Sequence, residues 1–202
     1  MWVERKDPRQ VHSMKKIQRA YLSLMLKENE KSITIQRICQ EAHVTRPTFY
    51  KLYKDILELR IDLHNAILND LRQSLTITHP KRIDELRSED LPENMVALFE
   101  HIIQNQLAYE VMLVYKPDDL FIQEVKNIIR HYVEDGIRVS QTSEEGLRME
   151  MSFVIAYTTG AYLESIVWWV RSNYKYSAVT MASKLLEISF HGPYKNPILW
   201  NK

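Results

Sequence analysis

Residues 34–53 read TIQRICQEAHVTRPTFYKLY, a pattern that predicts two short helices joined by a tight turn. Thr34 can cap the first helix, because its hydroxyl can accept a hydrogen bond from a free amide of the first turn. The turn follows at His43. Thr45 then caps a second helix that has Pro47 in its first turn, where the missing N–H costs nothing. The stretch therefore predicts a helix-turn-helix.

The side chains of these two helices divide into an inward and an outward set. The apolar residues fall at helical spacing, and they are Ile35, Ile38, Cys39 and Ala42 in the first helix and Phe49, Leu52 and Tyr53 in the second. Arg46, Thr48, Tyr50 and Lys51 then point outward. A donor-rich surface on a helix this short suits the major groove of DNA.

At these residues the chain resembles the TetR family of bacterial transcriptional regulators, whose pattern runs from a Thr-capped helix through Ala-Gly-Val-Ser to a recognition helix ending Tyr-x-x-Phe. The matching residues are Thr34, Ile38, Ala42, Val44, Thr45, Thr48, Phe49, Tyr50 and Tyr53. The resemblance implies an all-α fold. It also implies a three-helix DNA-binding domain at about residues 1–54, followed by a helical effector-binding and dimerisation domain at about residues 55–202.

Three positions depart from the family pattern. His43 stands where the family usually has Gly, at a turn position that often needs positive φ, which His tolerates less well than Gly. Tyr53 replaces the usual Phe, which we interpret as a mild change. Ile56 stands where the family usually has a Lys that contacts phosphate from the start of the next helix, so this departure concerns the strength of DNA binding.

The net charge of +1 hides an uneven distribution along the chain. Residues 1–54 hold 12 Lys/Arg and 5 Asp/Glu, which gives a net charge of +7. Residues 55–202 hold 15 Lys/Arg and 21 Asp/Glu, which gives a net charge of −6. A basic head on an acidic body indicates that the head meets a polyanion, although chance could also split surface charge in this way.

Composition sets further bounds on the protein. The 202 residues, 45% of them apolar, suffice for one large or two small domains with a real core. The single cysteine, Cys39, suits a reducing cytoplasm, and we interpret it as a small buried thiol rather than a redox sensor. No stretch has the length of a membrane span, so we expect a cytoplasmic protein.

The rest of the chain reads as further helices with no convincing strand. The predicted helices cover about residues 11–27, 55–75, 92–105, 120–139, 144–171 and 177–190. Asp55 is the predicted N-cap of the helix that runs to about Leu75, since no Gly or Pro intervenes. Residues 76–91 read as a polar loop, and residues 1–10 as a loose arm.

The resemblance to the family assigns DNA contact to a defined set of residues, which are Thr34, Thr45, Arg46, Thr48, Tyr50, Lys51 and Lys54. Arg46 can donate a bidentate pair of hydrogen bonds to a guanine edge, and Thr48 can touch a base or a thymine methyl. Tyr50 and Lys51 suit phosphate contacts, as does Thr34 at a helix N-terminus. The weaker phosphate candidates are Lys15, Lys16, Lys31, Arg37 and Lys54. Ordinary solvated side chains are the competing interpretation.

The acidic body is rich in aromatic residues and Met, which could line an effector pocket between helices. The candidates are Phe99, Tyr109, Met112, Tyr115, Phe121, Tyr132, Phe153, Tyr157 and Trp168. A filled hydrophobic core is the competing interpretation for each of them. His131 and Glu164 could supply polar recognition of an effector or could face solvent.

The resemblance further implies that the last two long helices pair with their copies across a two-fold axis in a four-helix interface. Gly160 and Ala161 would permit close approach, while Trp168, Trp169 and Leu185 would supply area. A homodimer suits the recognition helix, because one short helix reads only a few base pairs and two copies can share a palindrome. An intramolecular packing face is the alternative interpretation of the same residues.

Residues 160–182 resemble one branch of the family more closely, the branch that includes the activator of dihydroxyacetone kinase operons. The matching residues are Gly160, Trp169, Ser177, Met181 and Ala182. Family precedent favours a repressor. A co-activator that works through a protein partner, with weak or no operator binding of its own, is the alternative.

An enzyme is the competing class. We find no metal-ligand spacing, phosphate-binding loop or nucleophile elbow, so the sequence predicts no catalytic site, metal or cofactor.

Overall fold

The computed structural model describes residues 7–79, 91–139, 147 and 149–193, and every regular element within them is helical. The elements are α1 (Pro8–Lys27), a 3-10 turn (Glu30–Ser32), α2 (Ile35–Ala42), α3 (Arg46–Tyr50), α4 (Ile56–Ser74), α5 (Glu93–Gln104), α6 (Gln106–Tyr109), a π-helical segment (Glu110–Tyr115), α7 (Asp119–Val139), α8 (Met151–Arg171) and α9 (Ala178–His191). The all-α fold that the sequence predicts is confirmed. Parts of three predicted segments lie outside the described residues, namely the arm at residues 1–6, the loop at residues 80–90 and the helix at residues 144–146 and 148.

Side-chain caps explain where several helices begin. Asp7 Oδ1 accepts a hydrogen bond from the N–H of Arg9 (2.9 Å), so α1 begins at Pro8, three residues before the predicted start. Asp55 caps α4 through the N–H of Glu58 (2.8 Å), as predicted. Asp118 and Ser177 cap α7 and α9 in the same way.

The described residues group into two compact units. The first unit holds residues 7–69 and 105–121, and the second holds residues 70–79, 91–104, 122–139, 147 and 149–193. The segment from α6 to the π helix therefore belongs with the N-terminal helices, where both of its parts contact α1. We describe each unit separately.

The core of the first unit is built from one face of each helix. α1 packs on α2 and α2 on α3. The core contains Ile17, Tyr21, Leu24, Ile38, Cys39, Ala42, Phe49, Tyr53, Leu59, Leu63, Tyr109, Val111, Met112 and Phe121, all buried. Cys39 is thus the buried thiol that the sequence predicts, and burial raises its pKa.

The second unit is centred on α5, which packs along α9, and α8 also contacts α9. Trp169 of α8 is fully buried there. Its ring lies edge-on to those of Phe99 and Tyr174, with 5.1 Å between ring centroids in each pair. Its indole N–H donates to the backbone oxygen of Tyr176 at 3.0 Å. A buried indole with a satisfied N–H anchors the turn between α8 and α9.

No helix among the described residues is long and apolar enough to span a bilayer.

Candidate nucleic-acid interface

The turn between α2 and α3 has the geometry that the sequence predicts. Thr34 Oγ1 accepts the N–H of Arg37 at 3.3 Å and so caps α2. His43 ends α2 in the left-handed region, with φ 52° and ψ 46°. The N–H of Val44 then returns to the carbonyl of Cys39 at 3.0 Å. This backbone conformation is the one for which Gly has no steric cost, so His43 occupies a strained turn position.

The outward face of α3 presents its polar side chains to solvent. Arg46 and Lys51 are exposed, Tyr50 is 49% exposed, and Thr48 is half-buried. Arg46 and Tyr50 lie one turn apart, and the neighbouring Tyr50 hydroxyl raises the pKa of Arg46. Phe49 points the other way and is fully buried. The short helix therefore has one anchoring face and one donor-rich face.

The threonine hydroxyls are partly engaged already. Thr45 Oγ1 accepts the N–H of Thr48 at 3.3 Å, and the two hydroxyl oxygens lie 2.8 Å apart. Because one hydroxyl donates to the other, this pair retains a single free O–H. Thr34 accepts through its oxygen, so its own O–H remains a donor for a phosphate.

The cationic side chains of residues 1–54 differ in whether a carboxylate already pairs with them. Lys15, Lys16, Lys31, Lys51 and Lys54 are exposed, as phosphate contacts require. The Arg37 guanidinium instead pairs with the carboxylate of Glu28. Arg37 is therefore the weakest of the phosphate candidates, because DNA would have to compete with this pair.

Tyr53 makes a contact that the sequence did not reveal. Its hydroxyl donates to Asp62 Oδ2 of α4 at 2.9 Å, and the side-chain amide of Gln18 of α1 donates to the same oxygen at 3.1 Å. Burial and the neighbouring carboxylate raise the pKa of Tyr53 far above its usual range. The Tyr53 hydroxyl thus links the turn that follows α3 to α1 and α4, so the replacement of Phe by Tyr is more than a mild change.

The start of α4 carries acidic caps. Glu58 accepts the backbone N–H of Lys54 at 2.5 Å while Asp55 accepts that of Glu58 at 2.8 Å, a reciprocal arrangement similar to a capping box. Ile56, the first residue of the helix, is half-buried. Two carboxylates and an apolar side chain therefore occupy the place where the family usually has a phosphate-binding Lys.

A second polar network of the first unit surrounds Asp118. Its Oδ2 lies 2.7 Å from an Arg60 guanidinium nitrogen and 3.4 Å from His64 Nε2, while its Oδ1 caps α7. Burial lowers the pKa of His64, and the charge of Asp118 opposes that shift. Sequence reasoning missed this network, because its partners are more than 50 residues apart and no local pattern links them.

The candidate effector residues do not share one environment. Tyr109, Met112 and Phe121 are buried in the first unit, where Tyr115 is 63% exposed. In the second unit Phe99 is fully buried and Tyr132 is half-buried. The remaining three, Phe153, Tyr157 and Trp168, are 60%, 68% and 51% exposed on α8.

A cleft of about 560 Å³ lies within the second unit, between the C-terminal end of α4 and one face of α7. Its lining residues are Arg72, Leu75, Thr76, Ile77, Glu124, Asn127, Ile128, His131, Tyr132, Asp135 and Val139. An ion pair between Arg72 and Glu124 (2.8 Å) crosses it. Of the residues considered from sequence, Tyr132 and His131 line this cleft. Arg72, Glu124 and Asp135 were missed, because surface charges on two separate helices carry no shared signal.

The exposed aromatic residues of α8 form one stripe with Gly160, which is half-buried. The rings of Phe153 and Tyr157 are stacked, with centroids 6.5 Å apart. Trp168 continues the stripe two turns beyond Gly160. Its ring lies against that of Tyr176, with 6.2 Å between ring centroids. Trp169 and Leu185, named from sequence for an interface, are buried within the chain, and Ala161 is half-buried.

A short exposed helix behind a capped turn, set in a basic head, defines a helix-turn-helix protein. Residues 89–191 match the family model of the TetR transcriptional regulator C-terminal region. The chain therefore belongs to the TetR family of transcriptional regulators, and it is a member of a regulator class rather than an enzyme class. Among curated proteins, none matches the chain at a significant level.

Solved structures of family members have the same fold. A TetR regulator from Streptococcus agalactiae aligns with a TM-score of 0.60 at 21% identity, covering 91% of this chain and 97% of the other. The dihydroxyacetone kinase operon activator DhaS aligns with a TM-score of 0.58 at 18% identity, covering 88% of this chain and 93% of the other. FadR from Bacillus subtilis, solved in complex with stearoyl-CoA, aligns with a TM-score of 0.62 at 16% identity, covering 89% of this chain and 99% of the other. These scores are too similar to distinguish one branch from another.

Proposed function

We propose that this regulator binds a palindromic DNA operator as a homodimer, acts as a repressor and is modulated by a small-molecule effector. The observation that carries the proposal is the outward face of α3. Arg46, Tyr50 and Lys51 stand exposed on a helix whose opposite face is anchored by the buried Phe49. Side chains held in this way can reach base edges and phosphates in a major groove.

Selection from fragmented genomic DNA tests operator binding directly. The purified protein at moderate salt should enrich fragments that share a palindrome, and Arg46→Ala or Tyr50→Ala should weaken binding roughly tenfold or more while leaving the oligomeric state unchanged. Lys126→Ala, which removes an exposed cation of α7, serves as the control and should bind normally. Unchanged affinity in both α3 variants would rule out α3 as the recognition helix.

The aromatic stripe of α8, which also carries the exposed Glu164, supports the dimer. Large aromatic side chains that are more than half exposed are costly to leave in water, and Gly160 between them allows a second helix to approach closely. In this proposal Phe153, Tyr157 and Trp168 contribute contact area, whereas Trp169 and Leu185 support the face from within the chain.

Sedimentation velocity of a charged variant tests this interface. Tyr157→Glu should convert the dimer into a folded monomer, because it would bury two carboxylates near a two-fold axis. Gln123→Glu adds the same charge at an exposed position of α7 and should remain dimeric. A Tyr157→Glu protein that stays dimeric would place the interface elsewhere.

The cleft between α4 and α7 is the place proposed for the effector. It combines apolar walls with His131, Tyr132 and Asp135, a mixture typical of sites that orient a small ligand. Because FadR was solved with stearoyl-CoA, that compound is a suitable first probe. Binding should raise the midpoint of thermal unfolding in the wild type and less so in His131→Ala. An equal rise in both proteins would exclude this cleft.

The acidic start of α4 favours a second candidate function. The carboxylates of Asp55 and Glu58 repel phosphate, and Ile56 offers it no cation, so we expect weaker phosphate binding at this position. Leu57 and Ile61 next to them are 62% and 51% exposed, as a protein-binding surface would be. A co-activator that depends on a protein partner would give no enriched palindrome in the genomic selection, despite a folded dimer.

A further inference from the structure

The aromatic stripe of α8 also carries a charge. Glu164 lies on it between Gly160 and Trp168, because positions 153, 157, 160, 164 and 168 share one face of a helix with 3.6 residues per turn. Its carboxylate is exposed, and no cation of the described residues pairs with it. Burial of a lone carboxylate in a dimer interface is costly, so Glu164 needs a polar partner from the second copy.

The stripe is most open at Gly160 and Ala161. A Cβ atom added to Gly160 would meet nothing within 4 Å, and Ala161 carries only a methyl group. The backbones of two helices approach most closely where their side chains are small. The two-fold axis of a dimer therefore fits best at the midpoint of these two residues.

Two copies of α8 could cross parallel or antiparallel about such an axis. In the parallel arrangement each residue faces its own copy, which brings together two carboxylates at Glu164 and two guanidinium groups at Arg171. In the antiparallel arrangement, residues equidistant from the midpoint face each other. The facing pairs are then Gly160 with Ala161, Tyr157 with Glu164, Phe153 with Trp168, and Glu150 with Arg171.

Each facing pair of the antiparallel arrangement is chemically complementary. The Tyr157 hydroxyl can donate a hydrogen bond to the Glu164 carboxylate, which supplies the partner that this charge needs. The aromatic pair brings two exposed rings together. Glu150, the N-cap of α8, and Arg171, its last residue, are exposed and carry opposite charges. Within the part of the chain that the structure describes, Arg171 has no ion pair of its own.

We propose that two copies of α8 meet antiparallel across a two-fold axis at Gly160 and Ala161. Contacts of Tyr157 with Glu164 and of Glu150 with Arg171, each formed twice between the subunits, select a second copy of this chain as the partner. This inference rests on the homodimer of the proposed function. It adds the register of the interface and the polar contacts that make the interface specific.

Reversal of the terminal charges tests the register. Glu150→Arg places like charges at both ends of its homodimer, and so does Arg171→Glu. A heterodimer of the two variants instead has opposite charges at both ends. If each variant homodimer is weakened about tenfold, co-expression of the two variants, one of them tagged, should give about nine-tenths heterodimer by native mass spectrometry rather than the statistical one-half. Tagged and untagged Lys126→Glu, a reversal at an exposed position of α7, should give the statistical mixture.

Cysteine cross-linking tests the centre of the register. A mixture of Tyr157→Cys and Glu164→Cys proteins should form a disulfide-linked heterodimer under mild oxidation, since facing residues of closely packed helices lie within the Cα–Cα range of a disulfide. Either protein alone should stay unlinked, because its two introduced thiols would lie about 10 Å apart along the helix axes. The native Cys39 is buried and should not contribute.

Three results would each overturn the proposed register. They are statistical mixing of the two charge variants, self-linking of either cysteine variant, and no cross-linking in the mixture of the two. Failure of the proposed function would look different, because the wild-type protein would then sediment as a monomer.

Discussion

At the scale of single residues, His43 closes the turn of the helix-turn-helix in a left-handed backbone conformation. The residue has φ 52°, a region that non-glycine residues enter at a cost, although His enters it more readily than most. Its side chain is exposed, so no packing contact offsets the strain. The departure from the family's usual Gly therefore reduces the stability of the head rather than changing its shape.

Replacement of His43 tests this strain. His43→Gly should leave the free energy of unfolding unchanged or raise it by about 1 kcal/mol, since relief of strain is partly offset by the greater entropy of the unfolded chain. His43→Val should lower it by more than about 1 kcal/mol, because a β-branched residue resists positive φ. Urea denaturation measures both values. A Val variant as stable as the wild type would contradict the backbone geometry.

The Tyr53 hydroxyl is a second feature of residue scale. Tyr53→Phe should lower the free energy of unfolding by about 1–2 kcal/mol, because Asp62 loses one of its two donors in a partly buried site. Tyr115→Phe, which removes a hydroxyl at a 63% exposed position, is the matched control for the same urea titration. Equal stability of the two variants would mean that water replaces the lost donor at no cost.

At the scale of elements, the starts of three helices could be predicted from their caps. Thr34, Thr45 and Asp55 cap the helices that follow them, because a cap acts within three residues along the chain. The aromatic residues of the body could not be assigned to core or surface in this way. α8 is apolar on nearly all sides, so its periodicity does not show which side faces its neighbours.

The start of α4 yields a prediction about one element. Ile56→Lys should tighten operator binding and steepen its salt dependence by about one unit of slope, because a cation then stands where the family has its phosphate contact. The same change places a positive charge at a helix N-terminus, with a cost of about 0.3–1 kcal/mol in stability. Ile56→Gln controls for the loss of the apolar side chain. Fluorescence anisotropy with labelled operator measures the affinities.

An Ile56→Lys variant that binds like Ile56→Gln would show that the start of α4 does not approach the phosphates. The acidic neighbours Asp55 and Glu58 would then be irrelevant to DNA affinity, and the partner-dependent alternative would lose its main support.

At the scale of the whole molecule, charge is divided along the chain. Residues 1–54 carry a net charge of +7 and residues 55–202 carry −6. All five lysines named as phosphate candidates in residues 1–54 are exposed, which leaves them available to a polyanion. A molecule arranged in this way should be attracted to DNA through one part only.

Operator affinity should therefore fall steeply with added salt. If six or more phosphates are contacted per dimer, affinity should drop by a factor of about 10³ between 50 and 200 mM salt. Titration of labelled operator at several salt concentrations gives the slope. A flat response would argue against the basic head as the DNA contact.

The sequence by itself determined the helix-turn-helix, the all-α class and the burial of Cys39. These depend on caps, on a turn residue and on the 3.6-residue period, all of which act over a few residues. Only the tertiary structure decided that Tyr53 reaches Asp62, that Asp118 holds Arg60 and His64, and that Trp169 is buried while Trp168 is exposed. Those outcomes depend on which helix faces meet, and contacts between distant segments leave no local pattern in the chain.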